Sequence, residues 1–260
     1  MLKVRVIPTM LWKGVGLVKG VRFNSWRRTG SVMPAIKVYN TRDVDELIVL
    51  DITATNENRE PDFKSLEEFA AECFVPLTVG GGVRTLAHIR ELLRSGADKV
   101  CINTAAYENP EFIREAAGRF GAQCLVVSID ARRSVTGKYL CFHHAGTQAA
   151  GVEVSEWAKQ LESLGAGEIL ITSIDRDGTM EGYDLELVNQ VTSSVSIPVT
   201  ASGGAGNYSH MLQAFQESTV SAVAAASIFH FTEQTPLEAK KFLASRGIPV
   251  RNVSAAKLVS

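Results

Sequence analysis

The chain has 260 residues, 45% of them hydrophobic, and its 27 Lys and Arg face 28 Asp and Glu for a formal net charge of −1. That length suits one large α/β domain, about 1–260, with a substantial core. The balanced charge argues against nucleic acid or a membrane surface as partner, and no apolar run approaches the roughly 20 residues of a membrane span.

The segment Met1-Leu2-Lys3-Val4-Arg5-Val6-Ile7 lacks the apolar stretch and cleavage site of a signal peptide and reads as a first strand. Strands follow over 46–52, 75–80, 99–103, 124–130, 168–174, 198–202 and 222–229, the first covering 4–11. Amphipathic stretches over 85–95, 110–119, 155–164 and 208–216 lie between them. Eight apolar strands alternating with helices predict a closed parallel (β/α)8 TIM barrel, with an open doubly wound sheet as the alternative. Two connections exceed what a barrel needs, 12–33 after the first strand and 131–151 after the fifth, the latter holding a hairpin over 138–143. Loops in these places build active sites and act as lids. Residues 252–260 read as a loose tail. Cys73, Cys101, Cys124 and Cys141 show no metal or redox spacing. Cys101 and Cys124 read as small core residues, which fits a reducing cytoplasm.

The chain repeats itself. Glu46, Pro76, Thr78, Gly81 and Gly82 recur as Glu168, Pro198, Thr200, Gly203 and Gly204, each 122 residues later. That period is too long for a solenoid unit, and it predicts two half-barrels, about 1–122 and 123–250.

The glycine clusters over 80–82 and 203–206 each follow a strand and precede a helix, where backbone N–H groups can meet an anion. The plain alternative is tight turns. Two such clusters, each followed one strand later by small residues (103–105 and 225–227), favour an elongated ligand with a phosphate at each end. Of the carboxylates at strand ends, Asp51, Asp130, Asp175 and Asp177, Asp130 follows apolar or small residues and is expected to point into the mouth, where it can move a proton. Asp177-Gly178 is expected to shape the turn near the second phosphate. Arg5, Glu46, Lys99 and Glu168 open four strands at the barrel bottom. From spacing alone this is a structural ion-pair network. His143 and His144 would point opposite ways on a strand, His88 and His210 read as surface residues, and His230 as packed. No ligand spacing calls for a metal, and no cofactor motif is legible.

Together, Leu50-Asp51-Ile52-Thr53-Ala54, the segment 78–83, Gly96-Ala97-Asp98-Lys99-Val100, Ile102-Asn103-Thr104-Ala105-Ala106, the segment 165–170, Asp175-Arg176-Asp177-Gly178-Thr179, the segment 201–206 and Ala225-Ala226-Ser227-Ile228-Phe229-His230 resemble the cyclase subunit of imidazole glycerol phosphate synthase. The resemblance spans nearly the whole chain. It implies a glutaminase subunit docked on the bottom face, with Asp98 at the contact, and ammonia passing up the bore to a bisphosphate. It implies phosphate anchors at Gly82, Asn103 and Thr104 on one side and at Asp177, Gly178, Gly204, Ala226 and Ser227 on the other. The charged ring becomes the family's ammonia gate, and Lys19 a member of the first loop.

The departures are specific. The family pairs the aspartate matched by Asp130 with a second one, and here that position is Leu11. Loss of one partner of an acid–base pair is expected to cost about 10²–10⁴-fold in rate. The first loop has Gly30-Ser31-Val32-Met33-Pro34 for the family's Gly-Asp-Pro-Val-Glu, and the segment 145–151 lacks the family's basic residue. The pattern resembles cyclase-like proteins associated with glycosyl amidation in surface-polysaccharide pathways, where ammonia serves a sugar amidotransferase. The alternatives are a working histidine-pathway cyclase, a scaffold that only activates the glutaminase, and, more distantly, a sugar-phosphate isomerase.

Overall fold

The computed structural model of the chain describes residues 2–14 and 16–251. The expected tail over 252–260 lies outside them. The strands are β1 (Arg5–Lys13), β2 (Gly16–Val21), β3 (Asn24–Gly30), β4 (Leu47–Asp51), β5 (Leu77–Gly80), β6 (Lys99–Ile102), β7 (Leu125–Arg133), β8 (Tyr139–His143), β9 (Gln148–Glu153), β10 (Glu168–Ser173), β11 (Val199–Ser202) and β12 (Ala222–Ala225). The helices are α1 (Val32–Thr41), α2 (Phe63–Ala71), α3 (Leu86–Arg94), α4 (Thr104–Glu108), α5 (Glu111–Phe120), α6 (Val154–Ser163), α7 (Leu185–Thr192), α8 (Tyr208–Glu217), α9 (Ser227–Phe231) and α10 (Pro236–Ser245).

Eight strands pair in parallel in the order β1, β4, β5, β6, β7, β10, β11, β12, and β12 returns to β1. The sheet is therefore closed, a (β/α)8 barrel with helices outside. The open-sheet alternative is excluded by the pairing of Arg5 with Ala222 and Ile7 with Ala224.

Local devices recur at the same spacing as the sequence motifs. Asp62 caps α2 through Ser65 N–H, and Asp184 caps α7 through Leu187 N–H. Thr85 caps α3 through His88 N–H, and Asn207 caps α8 through His210 N–H. A side-chain acceptor at these positions satisfies a helix-start N–H worth about 1 kcal/mol. A short helix after β6 (α4) has its counterpart in the short helix after β12 (α9).

Three expectations need correction. The 12–33 connection is not a bare loop: β1 runs on to Lys13 and pairs with β2, which pairs with β3, as an antiparallel ribbon. The hairpin expected over 138–143 is instead the single strand β8, which pairs with β7 and with β9 across turns over 134–138 and 144–147. The strand expected over 222–229 ends at Ala225, and Ser227–Phe231 is helical. A continuous apolar run does not by itself tell a buried strand from a buried helix.

The bottom is fastened by one cluster. Lys240 of α10 is fully buried, and its Nζ donates to Asp43 O at 2.9 Å, to Asp43 Oδ2 at 3.2 Å and to Asp45 Oδ1 at 2.9 Å. Asp45 also accepts Val6 N–H at 3.0 Å, so the last helix is tied to the first strand.

Candidate active site

Side chains alternate across a strand. On β1, Val6 and Met10 join the outer core with the helices, while Ile7 joins a separate inner cluster. Arg5, Ile7, Thr9 and Leu11 therefore form a column up the bore. The neighbouring strands supply matching layers.

The lowest layer is ionic. Arg5 reaches Glu46 at 2.7 Å and Glu168 at 2.7 Å, and Lys99 reaches each glutamate at 2.9 Å. Thr78 and Thr200, equivalent under the repeat, donate to Glu46 and Glu168 at 2.6 Å each. Burial opposes the charge on Glu168, but Arg5 and Lys99 more than offset it and hold the carboxyl below its usual range. Asp98 is exposed beside this ring, and its Oδ2 accepts Leu77 N–H at 2.8 Å. The next layer is apolar: Ile7, Ile48, Cys101, Val126, Leu170, Ala222 and Ala224 are all nearly or fully buried.

Above them opens a cavity of about 350 Å³ at the C-terminal ends of the strands. Leu11 and Asp130 both line it. Leu11 pairs in register with Leu50, and Asp130 with Thr172, and those partners stand 122 residues apart. Leu11 and Asp130 thus occupy equivalent places in the two halves of the barrel. Asp130 accepts from Ser128 Oγ at 3.3 Å and from Asn103 Nδ2 at 3.3 Å. Burial, opposed by the Ser128 hydrogen bond and aided by the nearby Asp177 charge, pushes its pKa up to about 7. A carboxyl poised there can give or take a proton near neutrality.

The first ribbon is drawn over the mouth. Lys19 Nζ contacts both Asp177 oxygens at 2.7 Å, with the lysine side chain buried. Arg22 N–H donates to Asp177 O at 2.7 Å. Gly178, at φ 75°, lies so close that a Cβ there would come within 2.1 Å of Gly20 O. The Phe23 ring packs on Gly146 at the turn of the second ribbon, so the two ribbons meet.

The expected phosphate anchors fall into two groups. Gly82 and Thr104 line one side of the cavity, and Gly178, Gly204, Ala226 and Ser227 the other. Ser227 Oγ is buried with no hydrogen-bond partner among the described residues. Asn103 turns its side chain toward Asp130 and the Ser128 carbonyl, so what it offers an anion is backbone. The Asp177 carboxylate is engaged by Lys19, its N–H donates to Ser173 O at 2.9 Å and its carbonyl accepts from Arg22, so its polar groups are already taken up within the fold. A Cβ at Gly204 would meet Gly182 O at 2.1 Å, so close packing also demands glycine there. Asp51 is a turn carboxylate, accepting from Thr53 N, Ala54 N and Arg59. Asp175 accepts Arg133 N–H on the outer rim.

The histidines depart from expectation. His88 is buried, not on the surface, with its ring against Phe63, and His210 is half-buried. His143 and His144 do not diverge: a positive φ at His144 turns the chain, and their Nδ1 atoms lie 2.9 Å apart. His144 lines the cavity beside Thr104, whose Oγ1 accepts its N–H at 3.0 Å. Motif reasoning passed over His144, Thr9, Ser128, Phe23 and Trp26, all of which line the cavity. The alternation Arg5, Ile7, Thr9, Leu11 already carried the signal for Thr9. Among the described residues, no group of three or more His, Cys, Asp or Glu is placed to hold a metal ion. No helix among them is long and apolar enough to cross a membrane.

A family model described as histidine biosynthesis protein matches residues 5–235, from the first residue of β1 to the cap of α10. With that match over most of a closed eight-stranded barrel, the chain belongs to the histidine biosynthesis protein family of HisA- and HisF-like barrel enzymes.

Proposed function

We propose that this barrel conducts ammonia from a glutaminase partner on its bottom face to its mouth, and that the ammonia is diverted from imidazole formation to the amidation of a surface-polysaccharide sugar. The reading treats residues about 1–122 and 123–250 as two half-barrels. One observation carries the diversion: a leucine stands where the two-fold equivalent, Asp130, is a carboxyl. Hydrocarbon has no proton to exchange, so the acid–base pair that ring closure requires is halved. The conduit is supported by the ring of Arg5, Glu46, Lys99 and Glu168 beneath an apolar bore. A charged ring and an apolar layer together favour a small neutral solute. Glycine turns and the unpartnered Ser227 hydroxyl support phosphorylated-ligand binding at the mouth.

A second reading, the histidine-pathway cyclase, is favoured by the family itself and by Asp130, whose raised pKa suits proton transfer. A direct assay separates the two. The protein is given an ammonium salt and the N′-ribulosyl formimino carboxamide ribonucleotide bisphosphate, alongside Leu11→Asp. The diverted reading expects product at least about 10²-fold below an intact cyclase. Leu11→Asp raises the rate if the rest of the mouth still fits that bisphosphate. Turnover by the unaltered protein at ordinary cyclase rates, or its rescue of a histidine auxotroph lacking the synthase barrel, would defeat the diversion.

A further inference from the structure

The turn between β8 and β9 places His144 and Ala145 at positive φ, 52° and 54°, where glycine or asparagine is usual. A histidine held there at a cost directs attention to what its ring meets. Its Nδ1 lies 2.9 Å from Nδ1 of His143, and its Nε2 lies 3.7 Å from Glu108 Oε1. His143 has little room to step aside. Its ring stacks on Tyr107 at 5.4 Å, and Tyr107 stacks on the buried Trp157 at 4.5 Å. A hydrogen bond between two ring nitrogens needs one with a proton and one without. Burial first, and then the charge of His144, lowers the pKa of His143, with Glu108 opposing them. His143 is therefore the bare acceptor, and His144 donates through Nδ1–H. A second proton at this contact would set two N–H groups head to head.

We propose that His143 and His144 form an acid-sensitive latch: a neutral His143 holds the His144 ring in the mouth, and protonation of His143 expels that ring and loosens the turn over 144–147. The latch joins three elements. His144 N–H donates to Thr104 Oγ1 at 3.0 Å, at the start of α4, and Gly146 lies under the Phe23 ring of the first ribbon. Release therefore reaches the Thr104 side of the cavity and the seam between the ribbons. From α4, Glu108 favours a charged imidazole and so favours release. From β7 come Asp130, paired with Phe142, and Arg132, whose guanidinium lies 5.0 Å over the Phe142 ring. Burial holds the Tyr107 hydroxyl and the Cys141 thiol uncharged. Because the latched form depresses the pKa of His143, it is at full strength above the ordinary histidine range and is lost as pH falls below it. The latch stands whether or not the barrel conducts ammonia.

The test uses the whole chain, without partner or ligand. Ring-nitrogen NMR at pH 7.5 reads which Nδ1 carries the proton, and amide hydrogen exchange reads protection over residues 144–153 at pH 7.5 and pH 5. The native protein shows a bare Nδ1 on His143 and a protonated one on His144. Its protection over 144–153, corrected for the intrinsic pH dependence of exchange, falls at least about tenfold at pH 5, while the barrel strands keep theirs. His143→Phe keeps the stack on Tyr107 and removes the proton site. His144→Asn suits the left-handed turn and removes the ring. In both variants protection over 144–153 is the same at the two pH values. Reversed or mixed tautomers, an unchanged native protection at pH 5, or an acid-dependent loss that persists in either variant would overturn the proposal.

Discussion

At the scale of the residue, the protonation of Asp130 sets both chemistry and stability. Its pKa in the fold is about 7, so the folded state holds a proton that the unfolded chain releases at ordinary carboxylate pH. The stability tied to that proton is full in acid and is lost as pH rises through about 7. Asp130→Asn removes the cost of ionising a buried carboxyl. The variant should match the native protein in acid and exceed it near pH 8, by at most about 4 kcal/mol. Urea unfolding across pH measures this, and a constant difference at every pH would refute it. Asp130 was legible in the sequence because a carboxylate closing an apolar strand has few places to go. The roles of Asn103 and Asp177 were not. Asn103 faces Asp130 because the turn after β6 brings it there, and Asp177 is met by Lys19 from 158 positions away. Nothing local in the sequence records either approach.

At the scale of the element, the ribbon of β2 and β3 pairs with β1 at its base and is tied across the mouth by Lys19 with Asp177, Arg22 with the Asp177 and Asp175 carbonyls, and Phe23 on Gly146. Removing one member of a buried pair leaves the other uncompensated, at roughly 3–5 kcal/mol if the element stays in place. The ribbon can instead lift, which limits that cost. Lys19→Met should therefore speed hydrogen exchange in residues 16–30 at least tenfold while the melting temperature moves little. Unchanged exchange would mean that the salt bridge does not hold the ribbon down. The barrel strands and their helices were legible because apolar runs and capping residues mark them locally. The ribbon was not. β3 is polar, with exposed Arg27 and Arg28, and β2 is interrupted by Lys19, so neither reads as a barrel strand; they pair because β1 continues beyond the barrel rim. The strand expected to run past Ala225 failed for the opposite reason: alanine and serine serve a buried strand and a buried helix equally well.

At the scale of the molecule, the ionic ring joins β1, β4, β6 and β10, or the residues opening them, across the barrel bottom. Glu168→Leu removes acceptors from Arg5, Lys99 and Thr200 together. It should destabilise the barrel by about 3–5 kcal/mol in urea. With the proposed glutaminase present, it should lower glutamine-driven product more than ammonium-driven product. Equal losses would assign the ring to stability alone. The ring's members were legible as charges at strand starts. That they touch follows from closure of the sheet, which the half-length repeat announced.

The unequal halves carry one more consequence. A cleft with matched walls would accept an elongated guest with similar ends in either direction, and half of its encounters would be unproductive. With hydrocarbon from Leu11 on one flank and the Asp130 carboxyl on the other, the two directions differ in energy. The cleft can therefore tell head from tail, and the same leucine that removes a proton donor supplies a compass.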